Sequence, residues 1–433
     1  MIKMNGKEKI SILTLGCPKN VVDSEKFISS LDKSKYELNL NIDHPDILVI
    51  NTCGFIQPAR DENQLAIEEA IDLKSKGIIK RLYVAGCFSE RYDDLLSLRY
   101  PQVDKFFGVN FQKDLLHELD SDKYELHGER ILLTPKHYAY LKISDGCDRT
   151  CAFCAIPQFK GKHHSIPIEE LVDEARHLAE NGVRELILIG QDTTSYGTDL
   201  YKKKMLTNLL EQLSDIEQLK WIRLMYVYPK GLQDEVLDLI AERPNIAKYI
   251  DIPIQHISDS VLNAMKRATT KKNILDLIEK IRKRSPNIAI RTTLLTGFPN
   301  ETEKDFLELL DFVKEYEFER LGVFSYSQED DTSAFELGDP IPPKEKNRRK
   351  EIIMLAQQEI SFKRNKSKIG QIVEVIIDEN IDGMISGRTE YDAPDIDNEV
   401  FIKSKQKINS GDVVQVKITS ATEYDLYGNL INE

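Results

Sequence analysis

No run of about eighteen apolar residues occurs in the 433-residue chain, so the sequence offers no membrane-spanning helix. The opening decamer, MIKMNGKEKI, is polar and charged where a secretory signal needs an apolar core, which points to the cytosol. Positive charge is not in excess either: 59 Lys and Arg stand against 72 Asp and Glu, a formal net of −13. That balance argues against a surface that grips nucleic acid everywhere and leaves room only for a local basic groove. Low-complexity segments are missing, and cysteine is scarce, with six residues. In a reducing compartment such cysteines are metal ligands or catalytic groups rather than disulfides. What the chain does have is length, more than one core usually organises, so two or three domains are expected.

The six cysteines fall into two sets of three. Cys17, Cys53 and Cys87 each end an apolar run, ISILTLGC, ILVINTC and LYVAGC, with helical stretches between them. Strand, helix, strand, helix, strand is the order of an open parallel sheet, and ligands of such sheets lie beyond the carboxyl ends of the strands. The three thiols are therefore expected to converge there, although 36 and 34 residues separate them. The second set is compact. Cys147, Cys151 and Cys154 lie within SDGCDRTCAFC, directly after the strand-like YAYLKIS. A structural zinc site closes with four ligands, and only His163 and His164 are near enough in sequence to serve as a fourth. Three thiolates instead suit three irons of a four-iron, four-sulfur cluster, with the fourth iron open.

From about Tyr138 six apolar strands alternate with helices: YAYLKIS, ELILIG, IRLMYVY, YIDIPI, IAIRTTLL and RLGVFSY. Six strand and helix units predict a βα barrel that stays open on one side, with active groups at the carboxyl rim. In IEELVDEARHLAENG, Ile168, Leu171, Val172, Ala175 and Ala179 keep helical spacing, and Asn181-Gly182 supply a stop. A helix is expected to run to about Lys366, its start, PPKEKNRRKE, reading as a solvated linker and helix. Short strands follow in GQIVEVIID, GMISGRT, NEVFIK and GDVVQVKITSA and predict a small antiparallel barrel. The expected domains are thus residues 1–130, 131–366 and 367–433.

The CxxxCxxC spacing, with Phe153 before its last cysteine, resembles the radical S-adenosylmethionine superfamily. The resemblance implies that the open iron is chelated by S-adenosyl-L-methionine, and that one-electron reduction of the sulfonium yields a 5′-deoxyadenosyl radical able to take hydrogen from unactivated carbon. With the three strand-end cysteines and the terminal barrel, nearly the whole chain resembles methylthiotransferases. In that family an N-terminal domain holds an auxiliary cluster, a radical barrel follows, and a C-terminal β-barrel called TRAM ends the chain. The resemblance therefore implies two four-iron, four-sulfur (4Fe-4S) clusters, one on Cys147, Cys151 and Cys154 that makes the radical, and one on Cys17, Cys53 and Cys87 that holds the sulfur to be transferred.

The wording of LGCPKNVVDSE, CAIPQFKGKH, ELILIGQDTTSYG, DIPIQHIS and IRTTLLTGFPNETEKDF is similar to the branch that modifies an aspartate of small-subunit ribosomal protein S-twelve. The branch acting on adenosines of transfer RNA reads closer to GCQMN, CVVP and LPVQSGS. Charge agrees: residues 368–433 hold six Lys or Arg against thirteen Asp or Glu, a net of −7 suited to docking a basic protein rather than phosphates. The implied partners are that protein or the small ribosomal subunit, a flavodoxin- or ferredoxin-like electron donor and a sulfur source, with tRNA disfavoured. Carried over residue by residue, the resemblance expects Gly190 and Gln191 near the methionine end of the cofactor. It expects Pro253, Gln255 and His256 on the cofactor or substrate wall, and Gly297, Phe298 and Pro299 beside the nucleoside. Arg291 is expected to pair a carboxylate, that of methionine or of the target aspartate. The chain departs from its relatives at Lys160, His164 and Ile166, at Thr296 and Asn300, and at Asp331.

Overall fold

Bulky apolar side chains fill nearly every position of the first three cysteine-ended runs, the composition of strands covered on both faces. The computed structural model describes residues 7–39, 44–121, 130–404 and 406–431. In it these runs join two short edge strands in one parallel sheet: β1 (Glu8–Thr14), β2 (Tyr36–Leu38), β3 (Ile47–Thr52), β4 (Arg81–Gly86) and β5 (Lys105–Phe106), in the order β2-β1-β3-β4-β5. Period-two alternation divides the core. Ile47 and Val49 pack with Phe27, Phe111 and Leu115 on one face, while Leu48 and Ile50 pack with Ile67, Ala70 and Phe88 on the other.

The chain divides into two compact units. The first comprises the residues up to Leu133 together with Gly146–Asp148 and Cys154–Lys162. The second holds everything else. Its strands begin with β6 (Tyr138–Lys142), the two-residue ribbon of β7 (Ser144–Asp145) and β8 (His164–Ser165), then β9 (Glu185–Ile189) and β10 (Trp221–Leu224). β11 (Ile246–Asp251), β12 (Ala289–Thr296) and β13 (Arg320–Ser325) complete an all-parallel sheet in the order β13-β12-β11-β10-β9-β6, open between its ends as six units predict. The helix read in residues 168–182 spans Ile168–Glu180, and Gly182 takes φ 102° beyond its end.

β14 (Ile372–Ile381), β15 (Met384–Arg388), β16 (Val400–Lys403), β17 (Val413–Ala421) and β18 (Leu426–Leu430) close a barrel in the order β14-β15-β16-β18-β17. Four of its pairings are antiparallel; β16 and β18 run parallel because the chain crosses through β17 between them. This barrel and the central sheet belong to one unit, and buried charge joins them. Glu185 of β9, fully buried, accepts from Arg223 Nε at 2.6 Å and from Arg388 Nη1 at 2.7 Å. Asp378 accepts from Arg388 and meets His137 at 2.7 Å; Asp392 pairs with Arg320, and Asp397 accepts from the Tyr249 hydroxyl at 2.8 Å. Sequence alone assigns the acidity of the terminal barrel to docking a basic partner. Part of it instead pairs with arginines of the same chain, a partnership that composition cannot reveal. Replacing Glu185 with leucine leaves the buried Arg223 without a counter-charge and Arg388 with Asp378 alone, and is expected to cost about 3–5 kcal/mol, read as a lower urea midpoint. A change within about 0.5 kcal/mol, the scale of an ordinary surface substitution, would contradict this account of the contact.

Candidate active site

Parallel pairing sets the carboxyl ends of β1, β3 and β4 side by side, with Thr14 opposite Asn51 and Thr52 opposite Gly86. Two glycines let the loops beyond them close. A Cβ on Gly16, whose φ is 92°, would stand 2.4 Å from the Cβ of Cys53 and 3.0 Å from its sulfur, and one on Gly54 would stand 2.7 Å from the carbonyl oxygen of Cys87. Asparagine amides hold the loops: Asn20 Nδ2 donates to the carbonyls of Leu15 (2.9 Å) and Thr52 (3.0 Å), and Asn51 Nδ2 donates to that of Asn20 (3.0 Å). Asn63 accepts from the Cys53 amide at 3.3 Å. Burial pushes the Cys87 thiol up to about 12 against the pull of Lys160, and burial with the nearby Cys17 also raises Cys53. The three thiols thus lie near enough to act on one another at the strand ends, with Cys87 buried and Cys17 and Cys53 at intermediate exposure. Lys160 lies in this corner with its ammonium 3.7 Å from Asp23.

Within the same unit the Cys147 amide donates to the Gly161 carbonyl at 3.1 Å. The helix Ile156–Phe159, just after Cys154, buries Phe159 in a cluster with Cys87, Val109 and Ala155. Cys151 belongs to the second unit. There Ala152 and Phe153 join Phe298, Tyr326, Met265 and Leu295 in one apolar cluster, so the residue before the last cysteine and the residue after Gly297 share a core. No two of the six cysteines are joined in a disulfide. Among the described residues no three His, Cys, Asp or Glu side chains stand closely enough for a single metal ion. A four-iron cluster makes a different demand, since its thiolates bind separate irons.

The rim beyond β6 and β9 has the character of a ligand cradle. A Cβ on Gly190 would lie 2.7 Å from Ser144 Oγ, and Gln191 Nε2 donates to Asp145 at 2.8 Å. Ser144 Oγ and Gln191 Oε1 are buried with no hydrogen-bond partner. Orphaned polar atoms beside a glycine that admits no side chain fit the polar, amino-acid end of S-adenosylmethionine. Gln255 adopts φ 76°, an uncommon conformation for a residue with a side chain, while its amide and carbonyl bond Thr293 and Leu295 at 2.8 Å each. At the end of β12, Gly297 has φ 77° and a Cβ there would meet Lys346 at 2.4 Å. Its amide and that of Phe298 donate to Glu301, whose other oxygen accepts from Arg349 at 2.9 Å. Pro299 follows, half-buried.

Three expectations need correction. Lys346 and Arg349, read as part of a solvated stretch, are buried: Lys346 Nζ donates to the Tyr326 carbonyl at 2.9 Å, and the helix Pro343–Ser367 lies against the Gly297 loop. Their long stems bury while their heads find acceptors, which a charge count does not distinguish from solvation. Arg291, third residue of β12, gives its fork to the chain's own carboxylates, Asp251 at 2.9 Å and Asp397 at 3.5 Å, rather than to a ligand. His256 is fully buried instead of lining an open wall; its Nδ1 accepts from the Ser258 amide at 3.0 Å and its Nε2 has no partner.

Burial pushes the His256 pKa down to about 3, with Asp305 pulling weakly the other way. Its folded-state value lies below the unfolded one of about 6.5, so its contribution to stability is whole above that pH and declines as pH falls towards 3. Stability is expected to drop by about 1–2 kcal/mol between pH 6.5 and 5.5 from this group. His256→Gln should flatten that slope; an unchanged slope in urea titrations of the variant would contradict the assignment.

Sequence reading missed Ser144, Arg267 and the asparagines. Arg267 Nη1 donates to Cys151 Sγ at 3.2 Å. Asn20 follows Cys17 in CPKN and Asn51 precedes Cys53 in INTC, the only signal they leave.

Models of three families match the chain: the Radical SAM superfamily over residues 141–313, the TRAM domain over 369–431, and Uncharacterized protein family UPF0004 over 9–108. The ribosomal protein uS12 methylthiotransferase RimO of Cytophaga hutchinsonii is 48% identical over 433 residues, covering 99% of each chain. That of Flavobacterium johnsoniae is 49% identical over 427 residues, covering 98% of each. Among solved structures, the radical S-adenosylmethionine methyltransferase TsrM from Kitasatospora setae, with tryptophan substrate and a SAM analog bound, has a TM-score of 0.54 at 14% identity and covers 73% of each chain, a likeness of fold alone.

Proposed function

The chain belongs to the family of ribosomal protein uS12 methylthiotransferases, and we propose that it replaces a hydrogen on the β-carbon of an aspartate of that protein with a methylthio group. The observation that carries this reading is near-full-length identity of almost half with relatives of that name, in a chain whose six cysteines fall into two sets of three. Proton removal by an ordinary base would place charge beside an ionised carboxylate, so hydrogen-atom abstraction is the chemistry the substrate demands. Cluster and S-adenosylmethionine, bound together, supply that abstraction. The chain's own work is to hold them. Cys147, Cys151 and Cys154 ligate the radical-forming cluster; Ser144, Gly190 and Gln191 receive the amino-acid end of the cofactor; Gly297 and Phe298, pinned by Glu301 and Arg349, receive the nucleoside. Cys17, Cys53 and Cys87 ligate the auxiliary cluster that carries the sulfur.

The reaction draws on a one-electron donor of flavodoxin or ferredoxin type and on a sulfur source. No helix among the described residues is long and apolar enough to cross a membrane. The test is anaerobic incubation of the reconstituted chain with reductant, S-adenosylmethionine, sulfide and the small-subunit protein, followed by peptide mass mapping. A methylthio increment on one aspartate-containing peptide is expected. An unmodified protein, with a modified adenosine in tRNA offered alongside, would contradict the substrate.

A further inference from the structure

Arg267 is buried at 4% exposure between two strained neighbours, since Lys266 and Ala268 take left-handed φ values of 54° and 51°. Such a conformation is strained for a residue with a side chain, and persists where its surroundings over-determine it. Here they do. The Arg267 amide donates to the Leu262 carbonyl at 3.0 Å, and its carbonyl accepts from the Tyr228 hydroxyl. The guanidinium lies over the Tyr228 ring at 4.4 Å, and Nη2 donates to the Pro253 carbonyl at 2.6 Å. Of the remaining donors, Nη1 donates to the sulfur of Cys151 at 3.2 Å, while Nε is buried without a partner.

Among the described residues no carboxylate pairs with this buried cation. Leaving a guanidinium without a counter-charge in a dry site is costly, and a neutral thiol is a weak acceptor. A cluster-bound sulfur carries the anionic character that a thiol lacks. We propose that Arg267 is a positioning residue that raises the reduction potential of the cluster on Cys151, through an N–H bond to a ligating sulfur and a fixed positive charge that favours the state holding one more electron. Arg267 exchanges neither proton nor electron; the electron comes from the external one-electron donor. The inference rests on the assignment of Cys147, Cys151 and Cys154 as cluster ligands.

The test uses the full chain with Cys17, Cys53 and Cys87 replaced by alanine, so that one cluster remains, reconstituted anaerobically, assayed for iron and titrated by electron paramagnetic resonance. Arg267→Met is expected to lower the ratio of reduced to oxidised cluster at a fixed solution potential by about tenfold, which for one electron is about 59 mV. Arg267→Lys keeps the charge but loses the fork, and should lower it by about threefold. A ratio within about twofold of the parent in both variants, at full iron content, overturns the proposal. Should the methionine variant take up no cluster, the lysine variant decides by the same criterion. A parent that takes up no iron at all overturns the ligand assignment itself, and this inference with it.

Discussion

Replacing Cys147, Cys151 and Cys154 together with alanine is expected to abolish reductive cleavage of S-adenosylmethionine, with 5′-deoxyadenosine falling at least about a thousandfold, the scale of losing a complete catalytic constellation. The three thiols share one loop of eight residues, and no histidine replaces them: His163 bonds Ser165 at 3.1 Å and approaches Asp199 at 3.8 Å. The fold should survive, because these cysteines supply little of the core. Of the surrounding residues it is Ala152, Phe159 and Phe298 that are deeply buried, while all three cysteines keep intermediate exposure. Circular dichroism and urea midpoints near the parent's, beside lost cleavage, are the expected pair of readings. Cleavage surviving in the triple variant would mean that the loop does not carry the cluster.

Replacing Cys17, Cys53 and Cys87 with alanine is expected to give the opposite division. Cofactor cleavage persists within a few-fold, while transfer of sulfur to the ribosomal protein falls below detection, again a loss of about a thousandfold. The first set lies at the ends of β1, β3 and β4; of the second set Cys147 and Cys154 belong to that same unit, whereas Cys151 packs through its neighbours with residues that follow β11 and β12. The informative reading is the iron content, expected to fall by about half as one of two equal clusters is lost. If cleavage vanished while the remaining cluster stayed intact, the separation of roles would be wrong.

Long strands and both sets of cysteines were legible in the sequence because buried parallel strands need unbroken apolar runs, and a ligand thiol following such a run has few other uses. The edge strands β2 and β5 were not, since two or three residues make no pattern. β18 escaped for a related reason: LYGNL interrupts its apolar positions with glycine and asparagine. Gly190 and Gly297 stood out in the sequence by the words around them, and side chains added there would clash with Ser144 and Lys346. Partnership across long separations was not. Arg291 looked available for a ligand because nothing nearby in sequence announces Asp397, and the negative charge of the terminal barrel hid the arginines it meets on β12, β13 and β15. Arg267 was least visible. Its role depends on left-handed backbone at a lysine and an alanine, which composition does not predict, and on one distance to a sulfur.

The most direct measurement is the intact mass of uS12 from cells with and without this gene, taken alongside the tRNA nucleosides of the same cells. The account predicts that uS12 loses a methylthio increment when the gene is removed, with the nucleosides unchanged. An unaltered uS12 together with the disappearance of a methylthio-adenosine would contradict it.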